Sequence, residues 1–361
     1  MGGSIFGKNL KVSTWGESHG KAVGAVVDGI PAGLKLCEAD IQAYLDRRKP
    51  GQSRFTTARS ESDTVQILSG VFEGVTTGTP ISLMVANKDQ RSRDYSNIKD
   101  VLRPGHADRT FLAKYGIRDY RGGGRSSGRE TIGRVAAGAI AAKMLNELGI
   151  TVSAYTRSIG PHEITHVDFD EMNNKLYMPD EKTAAEAAIY LEEAMKEGDS
   201  VGGVVECIIK NAPAGLGDPV FDKLDASLAY AMLSIGAVKG FEIGEGFKAA
   251  LMKGSENNDA FCKGEEGIQK RTNHSGGVLG GMSDGSDIVF RAAFKPTPSI
   301  SIQQDTVTTG GEDTQIVIAG RHDPVIVPRA VVVVETMAAL VVADAVLSNA
   351  SCQMEYLKCM N

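Results

Sequence analysis

Residues 103–131 read RPGHADRTFLAKYGIRDYRGGGRSSGRET and carry the most distinctive pattern in the chain. One histidine, His106, follows a Pro-Gly turn. Arginines then recur at intervals of three and four residues, at Arg118, Arg121, Arg125 and Arg129. Three consecutive glycines at 122–124 interrupt them, and each glycine lowers helix stability by roughly 1 kcal/mol relative to alanine. This part is therefore predicted as a loop in which the main chain can approach a ligand closely.

The end of this stretch predicts the start of a helix. Ser127 and Glu130 have the spacing of a capping box, and an apolar-rich run follows to about Leu148. Free backbone N–H groups, the positive end of the helix dipole and guanidinium groups would then converge at one place. That combination predicts an anion site.

The charge distribution supports the same interpretation. Residues 91–134 hold eleven Lys and Arg against five Asp and Glu, a local charge of +6 in a chain whose net charge is −6. Arginines at this spacing also occur on ordinary solvated faces. Concentration of one sign against the sign of the whole chain favours a polyanion site instead.

Composition narrows the class of protein. A chain of 361 residues with 42% hydrophobic and 23% charged residues is typical of a globular protein with a sizeable core. A pI of about 5.6 argues against a general nucleic-acid binder. The five cysteines are odd in number and lack a Cys-x-x-Cys pair, which predicts free thiols in a reducing compartment. The first residues lack the apolar region of a signal peptide.

Residues 330–347 form the most apolar run, but Glu335 and Asp344 interrupt it. Charges within a bilayer are costly, so this run is predicted to be a buried helix, in the core or at a subunit interface, rather than a membrane span. Pro328 fits the first turn of that helix.

Periodicity and turn residues predict an α+β fold. Expected strands cover residues 22–30, 64–72, 80–86, 151–159 and 288–294, and expected helices cover residues 38–48, 183–197 and 221–234. The segment GVVECIIKNAPAGL at 203–216 echoes GAVVDGIPAGL at 24–34, and residues 129–148 resemble residues 329–347 more weakly. We therefore expect residues 1–361 to form a single domain of two related halves, with helices against antiparallel sheets.

Other polar clusters lie outside the arginine stretch. The sequence GESHG at 16–20 contains His19, which could act as an acid or base where its surroundings tune it, although a structural histidine is the commoner case. Ser18 precedes it, and adjacent side chains on an extended chain point to opposite sides. Three further clusters are RTNHSGGVLGGMSDG at 271–285, KPTPS at 295–299 and GRHDP at 320–324.

Two apparent motifs are discounted. HEITH at 162–166 matches a zinc-protease pattern, but that pattern needs a helix and a third ligand, and here it follows Gly-Pro in a polar segment. GEGFKA at 244–249 matches a dinucleotide fingerprint, but polar residues cut short the helix that it requires. No metal site is predicted.

Taken together, the clusters at 16–20, 103–108, 120–127, 213–217, 276–281, 295–299 and 320–324 resemble the chorismate synthase family, in the right order over nearly the whole chain. The resemblance implies a β-α-β sandwich and a homotetramer. It also implies elimination of phosphate from 5-enolpyruvylshikimate-3-phosphate to give chorismate. Reduced FMN is the implied cofactor, used without net redox change, with NAD(P)H only an indirect source of electrons.

The resemblance also implies roles for single residues. Catalytic roles fall to His19, which would protonate the departing phosphate, to His106 beside the flavin, and to Ser18 and Asp323 as a relay. Substrate-binding residues would be Arg48, Arg54, Arg103 and Arg129. Flavin-binding residues would be Arg125, Ser126, Ser127, Ala237, Gly280, Lys295, Pro296, Thr297, Pro298, Ser299 and Arg321.

Two departures and two alternatives remain. Gly236 stands where the family usually has asparagine, which questions a flavin contact there, and Val332 replaces a common proline.

A flavin-dependent oxidoreductase would share the pocket but consume NAD(P)H in step with product. A basic module for RNA or polyphosphate would bind in a strongly salt-dependent way and need neither His19 nor His106. No built-in flavin reductase is evident, so an external one is expected, in the cytoplasm.

Overall fold

The computed structural model describes residues 3–56, 62–87, 99–264, 267–318 and 323–358. The helices in these ranges are α1 (Glu38–Arg48), α2 (Asp108–Tyr115), α3 (Thr131–Glu147), α4 (Glu181–Glu197), α5 (Leu224–Leu233), α6 (Gly254–Asn257), α7 (Val327–Asn349) and α8 (Met354–Lys358).

The first half of the chain builds one antiparallel sheet. The strands in this half of the chain are β1 (Ile5–Phe6), β2 (Lys11–Gly16), β3 (Ala22–Asp28), β4 (Val65–Ile67), β5 (Val71–Phe72), β6 (Val75–Thr76) and β7 (Ile81–Ala86). Strands β1-β2-β3-β7-β4 pair in that order, while β5 and β6 form a separate hairpin. Short apolar residues alternate along β3, where Val23, Ala25 and Val27 are buried.

The second half builds another antiparallel sheet. Its strands are β8 (Thr151–Ile159), β9 (His162–Glu163), β10 (Gly203–Lys210), β11 (Val238–Ile243), β12 (Phe261–Gly264), β13 (Gly267–Lys270), β14 (Val278–Leu279), β15 (Met282–Ser283), β16 (Ile288–Phe294), β17 (Gln304–Val307) and β18 (Asp313–Ile316). Strands β11-β16-β10-β8-β9 pair in that order, and the others form three hairpins. The strands of the two echoing segments, β3 and β10, are thus each the middle strand of a five-stranded sheet.

Two long apolar helices fill the space between the sheets. Helix α3 packs on β2, β3 and β7 of the first sheet, and α7 packs on β8 and β10 of the second. The two helices also pack on each other, and buried side chains from both sheets belong to one hydrophobic cluster. The layer order is therefore sheet, helices, sheet, as the α+β prediction requires.

Helix α7 is long and apolar enough to cross a membrane by length and composition alone, but 78% of its most apolar window is buried in the fold. Glu335 is buried there and accepts a two-pronged hydrogen bond from the Arg47 guanidinium at 2.8 and 2.7 Å. The prediction of a buried core helix is confirmed.

Most of the predicted elements are confirmed, with small shifts at their ends. The expected strand at 64–72 is interrupted, because residues 68–70 leave the sheet between β4 and β5. The predicted capping box is wrong in detail: Ser127 accepts from the Arg129 N–H at 3.2 Å, in a 3₁₀ turn that precedes α3. Glu130 instead accepts from Thr14 and Arg134, both at 2.8 Å, so tertiary contacts replace the local cap.

Both discounted motifs lack the helix that their chemistry needs. HEITH begins as strand β9 and continues into a turn, so His162 and His166 do not share a helical face. His162 packs on Tyr190, whereas His166 lies 3.4 Å from Glu171 and 3.5 Å from Asp180. Residues 244–249 form a turn and the start of a 3₁₀ helix.

The contact between α3 and α7 yields a stability prediction. A Cβ at Gly138 would lie 2.4 Å from the Thr336 carbonyl oxygen and 2.5 Å from its Cβ. We expect Gly138→Ala to lower the free energy of unfolding by about 2 kcal/mol, although alanine is the better helix former, because overpacking costs roughly 1–3 kcal/mol. Urea unfolding measures the change. Gly254→Ala, whose Cβ would meet open space, is the control and should not be destabilised.

Candidate active site

A large cleft opens where the N-termini of α3 and α7 meet the end of β16. Its volume is 1020 Å³. Most of the predicted site residues line it: Arg48, Arg103, His106, Arg125, Ser126, Ser127, Arg129, Ala237, Lys295, Thr297, Pro298, Ser299 and Asp323. Apolar side chains also line the cleft, including those of Ile235, Phe294, Val333, Met337 and Leu340.

One side of the cleft holds two buried arginines joined by a carboxylate. Asp63 accepts from Arg48 Nη1 at 2.8 Å through Oδ2, and from Arg129 Nη1 at 3.0 Å through Oδ1. Arg48 also donates to Thr131 Oγ1 and the Gly128 carbonyl, at 3.0 and 3.1 Å, at the start of α3. Burial lowers the pKa of Arg48 to about 9, and the charges of the neighbouring arginines act in the same direction.

A second carboxylate organises the His106 segment. Asp108 accepts from Nε and Nη2 of Arg103, both at 2.8 Å, and from Nη1 of Arg118 at 2.8 Å. His106 Nδ1 lies 3.5 Å from Asp108 Oδ1. Burial raises the pKa of the Asp108 carboxyl, but hydrogen bonds from Arg103 and His106 and the Arg103 charge outweigh burial and hold that pKa well below its usual range. Asp108 is therefore ionised at neutral pH.

The segment at 295–299 packs against the His106 turn. Lys295 Nζ donates to the Gly105 carbonyl at 3.2 Å, and a Cβ on Gly105 would lie 3.0 Å from Pro298 Cβ. Burial, assisted by the charge of Lys239, lowers the pKa of Lys295. Ala237 has φ +73°, which is uncommon for a residue with a side chain, and its carbonyl accepts from the Lys295 N–H at 3.0 Å. Strained backbone of this kind clusters at ligand sites.

Arg125 fixes the loop that carries Ser126 and Ser127 to the first sheet. Its guanidinium donates to the carbonyls of Gly16 and Thr14, at 3.0 and 3.1 Å, and to Thr14 Oγ1 at 2.6 Å. Ser126 donates to the Gly123 carbonyl at 2.7 Å. Of the same series, Arg121 pairs with Asp119 two residues away, whereas Arg118 donates to the Val101 carbonyl and pairs with Asp108; neither lines the cleft.

The cluster at 16–20 lies behind the cleft wall rather than on it. His19 and Ser18 are buried in the turn between β2 and β3, and neither lines the cleft. Ser18 Oγ is 3.1 Å from His19 Nδ1, so the expectation that these side chains diverge is wrong, because the chain turns here instead of running extended. A Cβ on Gly122, which does line the cleft, would lie 2.5 Å from His19 Nδ1 and 3.0 Å from Ser18 Oγ.

Several predicted residues are not brought to the cleft. Arg54 is exposed, 2.5 Å from Glu192 of α4, and stacks on Phe55. Gly280 lies in the exposed β14–β15 turn, and Pro296 packs against Gly202. Arg321 lies outside the described residues. Ser18 bonds to His19 and Asp323 pairs with Arg329, so a relay between Ser18 and Asp323 stays a prediction.

Three charged residues of the site escaped the sequence analysis. Asp63 and Asp108 hold the arginines, and Arg329 lines the cleft, pairs with Asp323 and donates to the Arg48 carbonyl at 3.1 Å. Arg329 follows Pro328 at the start of α7, which was a usable signal. Asp63 lies in an unremarkable polar stretch that no motif marks.

This arrangement suits a ligand with several negative charges and a flat apolar part. Guanidinium groups, apolar side chains and the His106 imidazole all line the same cleft. A statistical model of the family described as chorismate synthase matches residues 10–347. The chain belongs to the chorismate synthase family. It is thus a lyase of the shikimate pathway, which leads to the aromatic amino acids.

Individual members of the chorismate synthase family agree closely with this chain. A chorismate synthase of Agathobacter rectalis is 64% identical over 358 residues, covering 98% of both chains. One from Methanosarcina barkeri is 56% identical over 355 residues, covering 97% of both. A crystal structure of a chorismate synthase superposes with a TM-score of 0.78 at 34% identity, covering 98% of this chain and 96% of that one.

The wall between His19 and the cleft can be tested directly. We expect Gly122→Ala to lower kcat about 100-fold in chorismate formation, because its Cβ would displace the His19 ring, and misplacement by about 1 Å can cost that much. The measurement is steady-state phosphate release under anaerobic conditions. Gly254→Ala serves as the control. Full turnover in Gly122→Ala would show that the position of His19 does not matter.

Proposed function

We propose that this cleft binds reduced FMN together with 5-enolpyruvylshikimate-3-phosphate and catalyses the 1,4-anti elimination of phosphate to give chorismate. The observation that carries the proposal is the convergence of Arg48, Arg103, Arg129 and His106 on one cleft that apolar side chains also line. A substrate with a phosphate and two carboxylates needs several guanidinium groups, because bidentate charge-assisted hydrogen bonds match both kinds of anion.

The residues present fit a flavin mononucleotide. The cleft volume of 1020 Å³ lies at the upper end of the roughly 300–1,000 Å³ typical of small-molecule sites, which is large enough for a cofactor of this size. Ser126, Ser127, Ala237 and residues 295–299 would hold the flavin, and Arg321 is proposed from the resemblance alone. When bound, reduced FMN supplies electron density to the allylic system as phosphate leaves, without net redox change.

The chain itself supplies charge and proton positions. Arg48 and Arg129 would bind the anionic groups of the substrate and stabilise the negative charge that grows on the departing phosphate. His106 Nδ1 faces Asp108, so Nε2 is the nitrogen that would exchange a proton in the cleft. His19 lies behind Gly122 and would reach the phosphate only after that segment moves aside. Ser18 and Asp323 remain proposed contributors.

An anaerobic assay tests the reaction itself. With photoreduced FMN and no NAD(P)H, we expect phosphate and chorismate to form in equal amounts over many turnovers per FMN, because the elimination consumes no electrons. Product that forms only after NAD(P)H is added, with NAD(P)H oxidised in step with it, would support the oxidoreductase alternative. Tight, strongly salt-dependent polyphosphate or RNA binding without turnover would support the binding module.

The role of His106 can be separated from folding. We expect His106→Ala to keep the fold and FMN binding but to lose at least 100-fold in kcat, since general acid–base groups contribute about 10²–10⁴-fold. Circular dichroism and FMN titration accompany the kinetics. His166→Ala, an exposed histidine outside the cleft, is the matched control. Turnover like that of the wild type in His106→Ala would remove this residue from the mechanism.

We also propose the domain organisation, the oligomeric state and the cellular location of the enzyme. We take residues 1–361 as a single domain of two related halves, supported by the equivalent middle positions of β3 and β10 in their sheets. Exposed large apolar side chains, such as Phe221, Phe247 and Leu251, support a homotetramer, which sedimentation velocity would distinguish from a monomer. We place the enzyme in the cytoplasm, with FMN reduced at the expense of NAD(P)H by an external reductase.

A further inference from the structure

Asp63 is a buried carboxylate that bridges two arginines of the cleft without lining the cleft itself. Its side chain has no exposed surface, and those of Arg48 and Arg129 are 3% and 7% exposed. Each carboxylate oxygen takes one arginine: Oδ2 is 2.8 Å from Arg48 Nη1 and Oδ1 is 3.0 Å from Arg129 Nη1. One negative charge therefore fixes the separation and orientation of two positive ones.

The backbone at Asp63 is held in an unfavourable conformation. Its φ is +44°, in the left-handed region that residues with side chains seldom adopt. The Gln42 side chain of α1 braces this turn: its Nε2 donates to the Asp63 carbonyl at 3.3 Å, and its Oε1 accepts from the Val65 N–H at 3.0 Å. Strain of this kind persists where the surroundings enforce it, often at functional sites.

The arginines need a nearby negative charge. Arg48 is fully buried and faces Arg329, Asp63, Arg129 and Asp323, so two cations and two anions act on it. Burial, together with the charges of Arg329 and Arg129, lowers the pKa of Arg48 to about 9, while Asp63 and, less strongly, Asp323 act in the opposite direction. Without Asp63, two buried guanidinium groups would repel each other across a region of low dielectric constant.

We propose that Asp63 is a positioning residue that holds Arg48 and Arg129 aligned for the phosphate and carboxylate groups of the substrate. This rests on the proposed function, because it assigns these arginines to the substrate. Asp63 acts through them and does not touch the ligand. If Asp63 acted only through its own negative charge, removing that charge would strengthen the binding of an anionic ligand. If Asp63 positions the arginines, removing the charge weakens the binding instead.

The test compares Asp63→Asn with the wild type in calorimetric binding of 5-enolpyruvylshikimate-3-phosphate in the presence of oxidised FMN, where no turnover occurs. Loss of two charge-assisted hydrogen bonds should raise the Kd of the substrate about tenfold at pH 7. The Kd for FMN alone should change less than threefold. The matched control is Asp40→Asn, which removes a carboxylate that pairs with Lys143 at 2.8 Å outside the cleft.

The pH dependence adds a readout that a purely structural role would not move. The anion binds the protonated form of Arg48, so affinity in the wild type should fall as pH rises through about 9. Asp63→Asn removes a charge that raises the pKa of Arg48, so that pKa falls and the affinity for the substrate begins to decrease at a lower pH. The ratio of the two Kd values should therefore grow between pH 7 and pH 9. Equal or tighter binding by Asp63→Asn, or a constant ratio, would overturn the proposal.

Two further measurements cover the remaining outcomes. If Asp63→Asn does not fold, Asp63→Glu keeps the charge but moves the carboxylate by one methylene group. It should raise the Kd at least threefold with the pH dependence of the wild type, and an unchanged Kd would exclude positioning.

If the wild type releases no phosphate from the substrate, the proposed function fails. Inorganic phosphate then replaces the substrate as the probe, and the same tenfold effect tests Asp63 independently.

Discussion

Buried guanidinium groups held by buried carboxylates are the interaction on which the site depends. Arg48 and Arg129 share Asp63, while Arg103 and Arg118 share Asp108. An isolated buried charge is costly, and each cation here has an anion within about 3 Å that offsets the cost. The carboxylates are too few to neutralise the whole cluster, so the cleft keeps a positive field for a bound polyanion.

The sheet–helix–sheet packing brings these charges together. Helices α3 and α7 both begin beside the end of α1: Arg48 donates to Thr131 at the start of α3, and Arg329 of α7 donates to the Arg48 carbonyl. The close approach of the two helices at Gly138 and Thr336 keeps their N-termini side by side. Thus the residues at the starts of α3 and α7, which bear charges of the site, belong to two helices that are in close contact deep in the core.

Much of the fold could be predicted from the sequence, because apolar residues recur with the period of the helix or strand that they form. The helix at 38–48 and the strands at 151–159 and 288–294 have the predicted ends. Errors arose where distant contacts override local ones. Glu130 bonds to Thr14 instead of capping its own helix, and Ser18 turns toward His19 because β2 and β3 are joined by a tight turn.

The candidate site was predictable to the extent that motifs mark it. Arg103, His106 and residues 295–299 stand in distinctive sequences, and the structure brings most of them to one cleft. Arg54 was assigned by resemblance alone, and it pairs with Glu192 at the surface. Asp63 left no signal, because its importance comes from a positive φ and two long-range ion pairs, which are tertiary properties.

The central claim is that one arginine-lined cleft binds the phosphorylated substrate and the flavin side by side. The most direct measurement is a crystal structure of the protein with 5-enolpyruvylshikimate-3-phosphate and oxidised FMN. We expect the anionic groups of the substrate within hydrogen-bonding distance of Arg48 and Arg129, and the flavin ring between His106 and residues 295–299. Either ligand bound elsewhere, with no contact to these arginines, would contradict the account.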